Sequence, residues 1–231
     1  MTIDEERPSP TIEDYLGVIY TLARDGERVI GARLAESLDV SPPTVTATLR
    51  RMARDGWIIL GKDKEIMLTE QGQGMAMSVI RRHMLTEWML SRVLKLPLSE
   101  LHREAHQIEH TLSSDVAERL QSEMEDPRLC PHGNPMPGFE GDVSQWQPLN
   151  QVAAGSEVIL QRIHEHLEGQ YEQLSFLEAN GLEPGAHICV EEVLPFNETM
   201  QMRVKGHQVV LGLGLAGLLF VERLTSRDKL A

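Results

Sequence analysis

Histidine and glutamate residues recur at helical spacing between positions 83 and 110. Residues three or four apart share one face of a helix, which has 3.6 residues per turn. Two such groups occur, namely His83 with Glu87, and His102 with His106, Glu109 and His110. The second group extends about 12 Å along a helix at 1.5 Å per residue, which is too far for one metal ion. The spacing therefore predicts two metal sites per subunit, one from His83, Glu87 and His102 and one from His106, Glu109 and His110.

The ligand types restrict the metal and leave a catalytic alternative open. Imidazole and carboxylate groups favour Mn(II), Fe(II) or Zn(II), and neither helical group contains sulfur. Cys130 and His132 form a separate Cys-x-His pair that can reach one ion. The run from His106 to His110 also matches the H-x-x-E-H pattern of inverted zincin proteases, in which the glutamate is a general base. A zinc metallohydrolase using His106, Glu109 and His110 is therefore the alternative function.

The elements before these residues have the pattern of a winged helix. Apolar positions three and four apart predict helices over 11–23 and 30–38, and a third helix begins after the N-cap Ser41. Pro42 suits the first turn of that helix, and Gly56 ends it. Strand formers at 57–60 and 65–69 enclose a turn of glycine, lysine and aspartate residues. Two short helices followed by a hairpin predict a winged helix-turn-helix.

Local positive charge on this domain predicts binding to double-stranded DNA. The chain has 22 Lys+Arg against 35 Asp+Glu, a net charge of -13, yet positions 40–54 contain three arginines and no acid. Contacts to phosphates supply most of the affinity for DNA, and side chains at the start of the third helix can reach base edges. The predicted DNA-binding residues are Arg33, Ser41, Pro43, Thr44, Ala47, Arg50, Arg51, Arg54, Lys62 and Lys64. A winged-helix regulator that senses a small organic ligand would share this interface, and sensitivity to chelators separates it from a metal sensor.

The rest of the chain divides into a helical region and a β-rich region. The pattern is helical from 69 onward and predicts two long helices, the first continuing through 82 to 94 and the second over 98–124. A loop with four prolines and three glycines follows at 126–141. Strands at 158–163, 186–193, 200–204 and 209–211, with a helix at 170–179, predict a small, partly open barrel. The predicted domains are 1–75, 76–141 and 142–231. Gly212 to Gly217 match a dinucleotide-binding pattern, but only 14 residues follow, so no βαβ unit can form.

Composition excludes several classes of protein. The longest apolar run, Val209 to Val221, has 13 residues and is too short to span a bilayer. Residues 1–6 are acidic and show no secretory signal, and two cysteines exclude a disulfide framework. We therefore expect a cytoplasmic protein without a membrane partner.

Four motifs together resemble the family of the diphtheria toxin repressor and the manganese transport regulator. They are Thr11 to Leu16, Ser41 to Val45, His83 to Glu87 and His102 to His110, and the resemblance extends over essentially the whole chain. It implies a winged helix, a helical dimerisation and metal-binding domain, and a C-terminal SH3-like barrel, also described as FeoA-like. The implied function is that of a homodimeric repressor, not an enzyme. Divalent metal activates such repressors to bind operator DNA, usually at metal-uptake genes.

The resemblance also assigns ligands to the sites. It implies that Asp14 joins His106, Glu109 and His110 in a regulatory site, and that His83, Glu87 and His102 form an ancillary one. In manganese-branch members the equivalents of Cys130 and His132 join the glutamate equivalent to Glu87 in a secondary site, so either this pair or His83 with His102 can complete the ancillary site around Glu87. Glu168, Gln170 and Gln173 are the candidates for a ligand from the barrel. Iron-sensing members have Met and Cys at the positions of Asp14 and His106, so Mn(II) is expected here, with Fe(II) and Zn(II) open.

Overall fold

The winged helix, the helical region and the β-rich region form two units in the computed structural model, which describes residues 7–224. The first unit contains residues 7–82 and 109–112, and the second contains residues 83–108 and 113–224. Residues 1–6, on which the expected absence of a secretory signal depends, and residues 225–231 lie outside the described part. The predicted domains 1–75 and 142–231 include these segments.

The first unit is a winged helix-turn-helix. Its helices are α1 (Pro10–Arg24), α2 (Gly31–Ser37) and α3 (Pro42–Arg54), and its wing pairs β1 (Ile58–Leu60) with β2 (Ile66–Leu68) antiparallel. Ser41 caps α3, because its side chain accepts a hydrogen bond from the Thr44 backbone N–H at 3.4 Å. Leu16 and Ile19 of α1 pack in one core with Leu34 of α2 and Val45 of α3. Helix α1 is therefore fixed to the helix-turn-helix by burial of apolar side chains.

The helical region differs from the prediction at one point. Helix α4 (Glu70–Arg92) is followed by α5 (Leu98–Glu109) and α6 (Ser114–Glu123), so the predicted single helix over 98–124 is two helices. The break has a local cause, since Ser113 caps α6 by accepting a hydrogen bond from the Val116 backbone N–H at 3.3 Å. A serine at this position favours a new helix start over continuation.

The β-rich region contains an antiparallel sheet in the order β3-β8-β4-β5-β6-β7. Its elements are β3 (Gln147–Pro148), β4 (Glu157–Ile163), α7 (Tyr171–Ala179), β5 (His187–Leu194), β6 (Thr199–Val204), β7 (His207–Gly212), α8 (Leu213–Ala216) and β8 (Leu219–Arg223). Register shifts between Leu160 and Arg162 and between Val190 and Glu192 mark bulges, which bend a sheet. The fold class predicted from the sequence, mainly α with a β-rich C-terminal domain, is confirmed.

Two strands of this sheet, β3 and β8, are not predicted from the sequence. β8 lies between β3 and β4, although the sequence pattern predicts no strand over 212–223. The glycines at 212, 214 and 217 interrupt the alternation of apolar residues that identifies a strand. Within residues 7–224, no helix combines the length and apolar character needed to cross a membrane.

Candidate metal sites and DNA-binding surface

His110 lies at the centre of a group of carboxylates in the first unit. Its Nε2 atom is 3.1 Å from Asp14 Oδ1 and 3.4 Å from Glu109 Oε1. Its Nδ1 atom is 2.6 Å from Glu13 Oε2. Asp14 and Glu13 are neighbours on α1, while Glu109 ends α5. The segment at 109–112 thus brings two of the predicted ligands to Asp14.

Glu13 and Arg82 support this group and were not predicted from the sequence. Glu13 is buried, and its Oε1 atom accepts a hydrogen bond from Arg82 at 2.7 Å. Arg82 also donates to the Glu109 carbonyl oxygen at 3.0 Å and to Ser78 Oγ at 2.9 Å. Burial lowers the pKa of Arg82, and Glu13 opposes this effect. The imidazole of His110 is therefore oriented by Glu13 through its Nδ1 atom, as carboxylates that contact the far nitrogen of metal-ligating histidines orient those rings.

The donor atoms of this group suit a divalent cation. Glu13, Asp14 and Glu109 place three carboxylates around one imidazole, with Arg82 as the cation that contacts Glu13. A divalent ion would neutralise the remaining negative charge. His106 is exposed on α5, three residues before Glu109, and belongs to the second unit. The spacing of three residues places His106 and Glu109 on the same face of the helix.

A second cluster lies in the second unit. His83 and Glu87 come from α4, His102 from α5, and Glu168 from the segment before α7. The His83 Nε2 atom is 3.3 Å from Glu87 Oε1 and 3.1 Å from His102 Nδ1. His102 Nδ1 is also 3.4 Å from Glu168 Oε2. Two imidazole nitrogens this close repel each other unless a proton or a metal ion lies between their lone pairs.

The Cys130 and His132 side chains approach the same carboxylates. His132 Nδ1 lies 3.4 Å from Glu87 Oε1 and 3.5 Å from Glu168 Oε1. Cys130 Sγ lies 3.9 Å from His132 Nδ1 and 3.9 Å from Glu168 Oε1. His132 and Glu87 are fully buried. The structure thus brings the loop pair to the helical group through two shared glutamates.

Glu168 is held by polar residues of the β-rich region. Asn134 donates to Glu168 Oε1 at 2.7 Å and to the Ile163 carbonyl oxygen at 2.9 Å. Arg162 in turn donates to the Asn134 side-chain oxygen at 2.5 Å. Of the three candidates for a barrel ligand, the structure brings Glu168 to the cluster, while Gln170 and Gln173 are exposed. The sequence could not select Glu168 because no helical or strand period relates it to the histidines.

Two effects set the pKa values in this cluster, namely burial and the charges of the neighbouring side chains. Burial raises the pKa of the Cys130 thiol well above its usual value, and Glu87 and Glu168 add to the effect. Burial alone would lower the pKa of His132, but Glu87 and Glu168 outweigh it and raise that pKa to about 9. Burial alone would raise the pKa of Glu87, but His132 and His83 outweigh it and keep that pKa below its usual value. Without metal, a protonated His132 therefore balances the buried glutamates.

The buried carboxylate of Glu87 points to a bound cation. Both of its carboxylate oxygens are buried without a hydrogen-bond partner among the described residues. His83 and His132 are at ion-pair distance from Oε1, but neither makes a hydrogen bond of good geometry. A buried carboxylate in this state is costly unless a cation satisfies it. The residues present therefore fit a metal ion.

The predicted DNA-binding residues lie on the surface of the first unit. Pro43, Thr44, Ala47 and Arg50 are exposed on α3, and Lys62 and Lys64 are exposed at the tip of the wing. Ser41 and Thr44 hydroxyls are 2.8 Å apart.

Three of the predicted arginines have acidic neighbours in the structure. Arg33 pairs with Glu27, and Asp55 accepts from Arg54 at 2.9 Å and lies 3.6 Å from Arg51. Among the arginines, Arg50 is the one on α3 for which the structure shows no ion pair within the described residues. The local positive charge is therefore smaller than the count of arginines suggests.

Comparison with known proteins identifies the family. Three family models match in sequence order: the iron dependent repressor N-terminal DNA binding domain at 9–66, the iron dependent repressor metal binding and dimerisation domain at 69–138, and the FeoA domain at 147–223. The iron-dependent repressor IdeR of Mycobacterium tuberculosis is 38% identical over 192 residues, which are 78% of this chain and 84% of that protein. The chain belongs to the iron-dependent repressor family.

Other members support the assignment across the whole chain. The diphtheria toxin repressor of Corynebacterium jeikeium is 32% identical over 220 residues, covering 95% of this chain and 87% of that protein. A solved structure described as a manganese-dependent transcriptional repressor in complex with manganese has a TM-score of 0.81 at 27% identity, covering 92% of this chain and 100% of that one. This iron-dependent repressor family member is a metal-dependent transcriptional repressor, as the resemblance implied. The family consists of DNA-binding repressors, so the metallohydrolase alternative has no support.

Proposed function

We propose that this repressor binds operator DNA as a homodimer when a divalent metal, preferentially Mn(II), occupies the group around His110. The observation that carries the proposal is the convergence of Asp14 from α1 with Glu109 and His110 from the end of α5. We add His106 as a fourth ligand on its helical spacing to Glu109 and on the family resemblance. The regulated genes are then those of metal uptake, and the protein acts in the cytoplasm, where its DNA lies.

The chain can couple metal to DNA through α1. Asp14 stands on a helix whose buried face, including Leu16 and Ile19, packs in the same core as α2 and α3. Fixing the Asp14 carboxylate relative to His110 therefore fixes the helix-turn-helix relative to the end of α5. Two states that differ in this contact would bind DNA differently, which is the requirement for allosteric coupling. An ion at about 100 times its dissociation constant stabilises the state that binds it by about 2.7 kcal/mol, or about a hundredfold.

The proposal of Mn(II) is supported by donor atoms that lack the sulfur ligands expected of iron-sensing members. Asp14 and Glu109 supply hard carboxylate oxygens and His110 an imidazole, with no sulfur among them. Fe(II) is compatible with the same set, and intrinsic affinity increases toward Zn(II). The IdeR relative is named for iron and the solved structure for manganese. Which ion activates the repressor in the cell therefore depends on how far each ion occupies the site at its free cellular concentration.

The homodimer is proposed from the match to a metal binding and dimerisation domain. Two copies of α3, one per subunit, would enter successive major grooves of a near-palindromic operator. Each wing would then lie near the flanking backbone, with Lys62 and Lys64 at its tip.

Fluorescence anisotropy with a labelled promoter fragment tests the proposal. The fragment is taken upstream of the repressor's own gene or of a metal-transporter gene. We expect tight binding with Mn(II), or with Fe(II) under anaerobic conditions, and binding weakened about a hundredfold in chelator. The Asp14→Ala variant should fold normally and lose the metal-dependent increase. Glu118→Ala, which removes an exposed carboxylate from α6, is the matched control and should bind as the unmodified protein does. Equal affinity in chelator and in metal, or normal behaviour of Asp14→Ala, contradicts the proposal.

A further inference from the structure

Two groups of potential ligands in the second unit share two carboxylates. The first group is His83, Glu87, His102 and Glu168, and the second is Glu87, Cys130, His132 and Glu168. Within each group the four donor atoms lie within 4.8 Å of one another. The sequence prediction treated the histidine pair and the Cys-His pair as alternatives for one ancillary ion. The shared glutamates allow both at once.

The two oxygens of Glu168 face different groups. Oε2 lies 3.4 Å from His102 Nδ1, whereas Oε1 lies 3.5 Å from His132 Nδ1 and 3.9 Å from Cys130 Sγ. A carboxylate with one oxygen toward each group has the geometry of a bridging ligand. Asn134 fixes this orientation with its hydrogen bond to Oε1.

Glu87 lies between the same two groups. Its Oε1 atom is 3.3 Å from His83 Nε2 and 3.4 Å from His132 Nδ1, so it approaches one imidazole of each. Both of its oxygens are fully buried without a hydrogen bond in the described part of the chain. One ion bound by His83 and His102 would leave Cys130 and His132 without a metal, and the reverse holds for an ion in the other group.

Charge also favours two ions. Glu87, Glu168 and the thiolate form of Cys130 supply three negative charges, which offset most of the charge of two divalent cations. Two-metal sites in proteins hold their ions about 3.5–4 Å apart, a separation that bridging carboxylates span. The arrangement therefore has bridging ligands, terminal ligands on both sides and nearly balanced charge.

We propose that this cluster is a dinuclear centre, in which Glu87 and Glu168 bridge two divalent ions. His83 and His102 are the terminal ligands of one ion, and Cys130 and His132 are those of the other. The proposal deepens the metal-sensor function proposed above and gives three ions per subunit instead of two. The two halves differ in chemistry, because a thiolate favours Zn(II), Fe(II) or Co(II), whereas the imidazole and carboxylate half also accepts Mn(II).

The test isolates the centre by removing the site at His110. The full-length variant Asp14→Ala/His110→Ala is loaded with Co(II), which both halves accept, freed of excess ion and analysed by elemental analysis and electron paramagnetic resonance. We expect two Co(II) ions per chain and a resonance signal weaker than that of two isolated Co(II) ions, because the bridging carboxylates couple the two spins. One ion per chain, two ions with the signal of isolated Co(II), or none, overturns the proposal.

Two further pairs of substitutions test which terminal ligands bind each of the two ions. In the same background, Cys130→Ser/His132→Gln and His83→Gln/His102→Gln should each retain one uncoupled ion. Co(II) should give a thiolate charge-transfer band in the second of these variants and not in the first. Where a variant does not fold, as judged by circular dichroism, the count and coupling in Asp14→Ala/His110→Ala decide. Two coupled ions support the centre even where the unmodified protein fails to show metal-dependent DNA binding, so the two proposals fail separately.

Discussion

We expect Glu13 to increase the metal affinity of the site around His110 without itself binding the metal. Its carboxylate contacts His110 Nδ1 at 2.6 Å and Arg82 at 2.7 Å. In Glu13→Gln the amide keeps the shape but loses the charge that orients and polarises the imidazole. Outer-shell substitutions of this kind reduce metal affinity by about 10–100-fold. The metal concentration for half-maximal DNA binding should increase by that factor.

The measurement is a Mn(II) titration of DNA binding, with the melting temperature recorded in chelator. Loss of the charge opposite the buried Arg82 should also lower stability, so binding is measured well below the melting temperature. Glu118→Gln on α6 is the matched control. A half-maximal metal concentration unchanged in Glu13→Gln would mean that Glu13 serves Arg82 alone.

His132 gives the metal-free protein a specific pH dependence. Its pKa is about 9 in the folded state and about 6.5 in an unfolded chain. The folded state therefore binds this proton more tightly, so the stabilisation is complete below about pH 6.5 and is lost as the pH rises through about 9. One pKa unit corresponds to about 1.4 kcal/mol, which limits the loss to about 3 kcal/mol.

Thermal melts in chelator between about pH 6 and pH 9.5 test this dependence. The melting temperature of the unmodified protein should fall across that interval more steeply than that of His132→Gln, in which the group is absent. Parallel curves for the two proteins would show that the His132 proton does not stabilise the fold.

At this scale the sequence predicted the residues that share a helical period and missed those that do not. His83, Glu87, His102, Glu109 and His110 were recognisable because spacing of three and four places them on common faces. Glu13 and Arg82 are 69 residues apart, and the hydrogen bond between Asn134 and Glu168 joins residues 34 apart. No local pattern encodes such contacts. Asp14 entered through the family resemblance, since it has no periodic partner, whereas Cys130 was recognisable from its Cys-x-His spacing to His132.

Among the elements, the loop that carries Cys130 and His132 depends on a glycine. Gly133 has a φ of 88°, and a Cβ atom at this position would lie 2.0 Å from the Gln161 carbonyl oxygen of β4. The loop is packed directly against that strand, because the Ile163 N–H donates to the His132 carbonyl oxygen at 2.8 Å. Gly133→Ala should displace the loop, reduce stability by several kcal/mol and remove metal binding by the Cys-His pair.

Gly138 provides the matched control. Its φ is 94°, close to that of Gly133, but no atom would lie within 4 Å of an added Cβ. Gly138→Ala therefore carries the conformational strain without the clash, at about 1–3 kcal/mol. Urea denaturation of both variants in chelator and in Co(II) separates the two effects. Equal destabilisation would show that the contact with Gln161 is unimportant.

The element boundaries show where sequence patterns are sufficient. Ser41 with Pro42, and Gly56 after α3, marked the helix-turn-helix because capping is local chemistry. The break between α5 and α6 depends equally on a local cap, Ser113, but the apolar period continues across it and outweighed that signal. β8 was missed because the short helix α8 and its glycines precede it.

For the molecule as a whole, net charge and DNA binding oppose each other. A chain with a formal charge of -13 is repelled by DNA at long range, and screening by salt weakens that repulsion. Salt has the opposite effect on the phosphate contacts, because added salt reduces the free energy gained when counterions are released from DNA. Because Arg51 and Arg54 share Asp55, the net positive charge at the end of α3 is small. Arg50 should therefore contribute more than its neighbours to phosphate binding.

Arg50→Ala tests this distribution of charge. Each phosphate contact contributes about -0.9 to the slope of log affinity against log salt, and a homodimer loses two contacts. The slope should therefore become shallower by about two, with similar losses of affinity on specific and unrelated DNA. Arg203→Ala removes an exposed arginine that pairs with Glu191 in the β-rich region and should leave the slope unchanged. Anisotropy titrations in Mn(II) at several salt concentrations measure both. If Arg50→Ala instead weakened binding to the operator alone, Arg50 would read bases, and the phosphate contacts would come from other residues of the wing and α3.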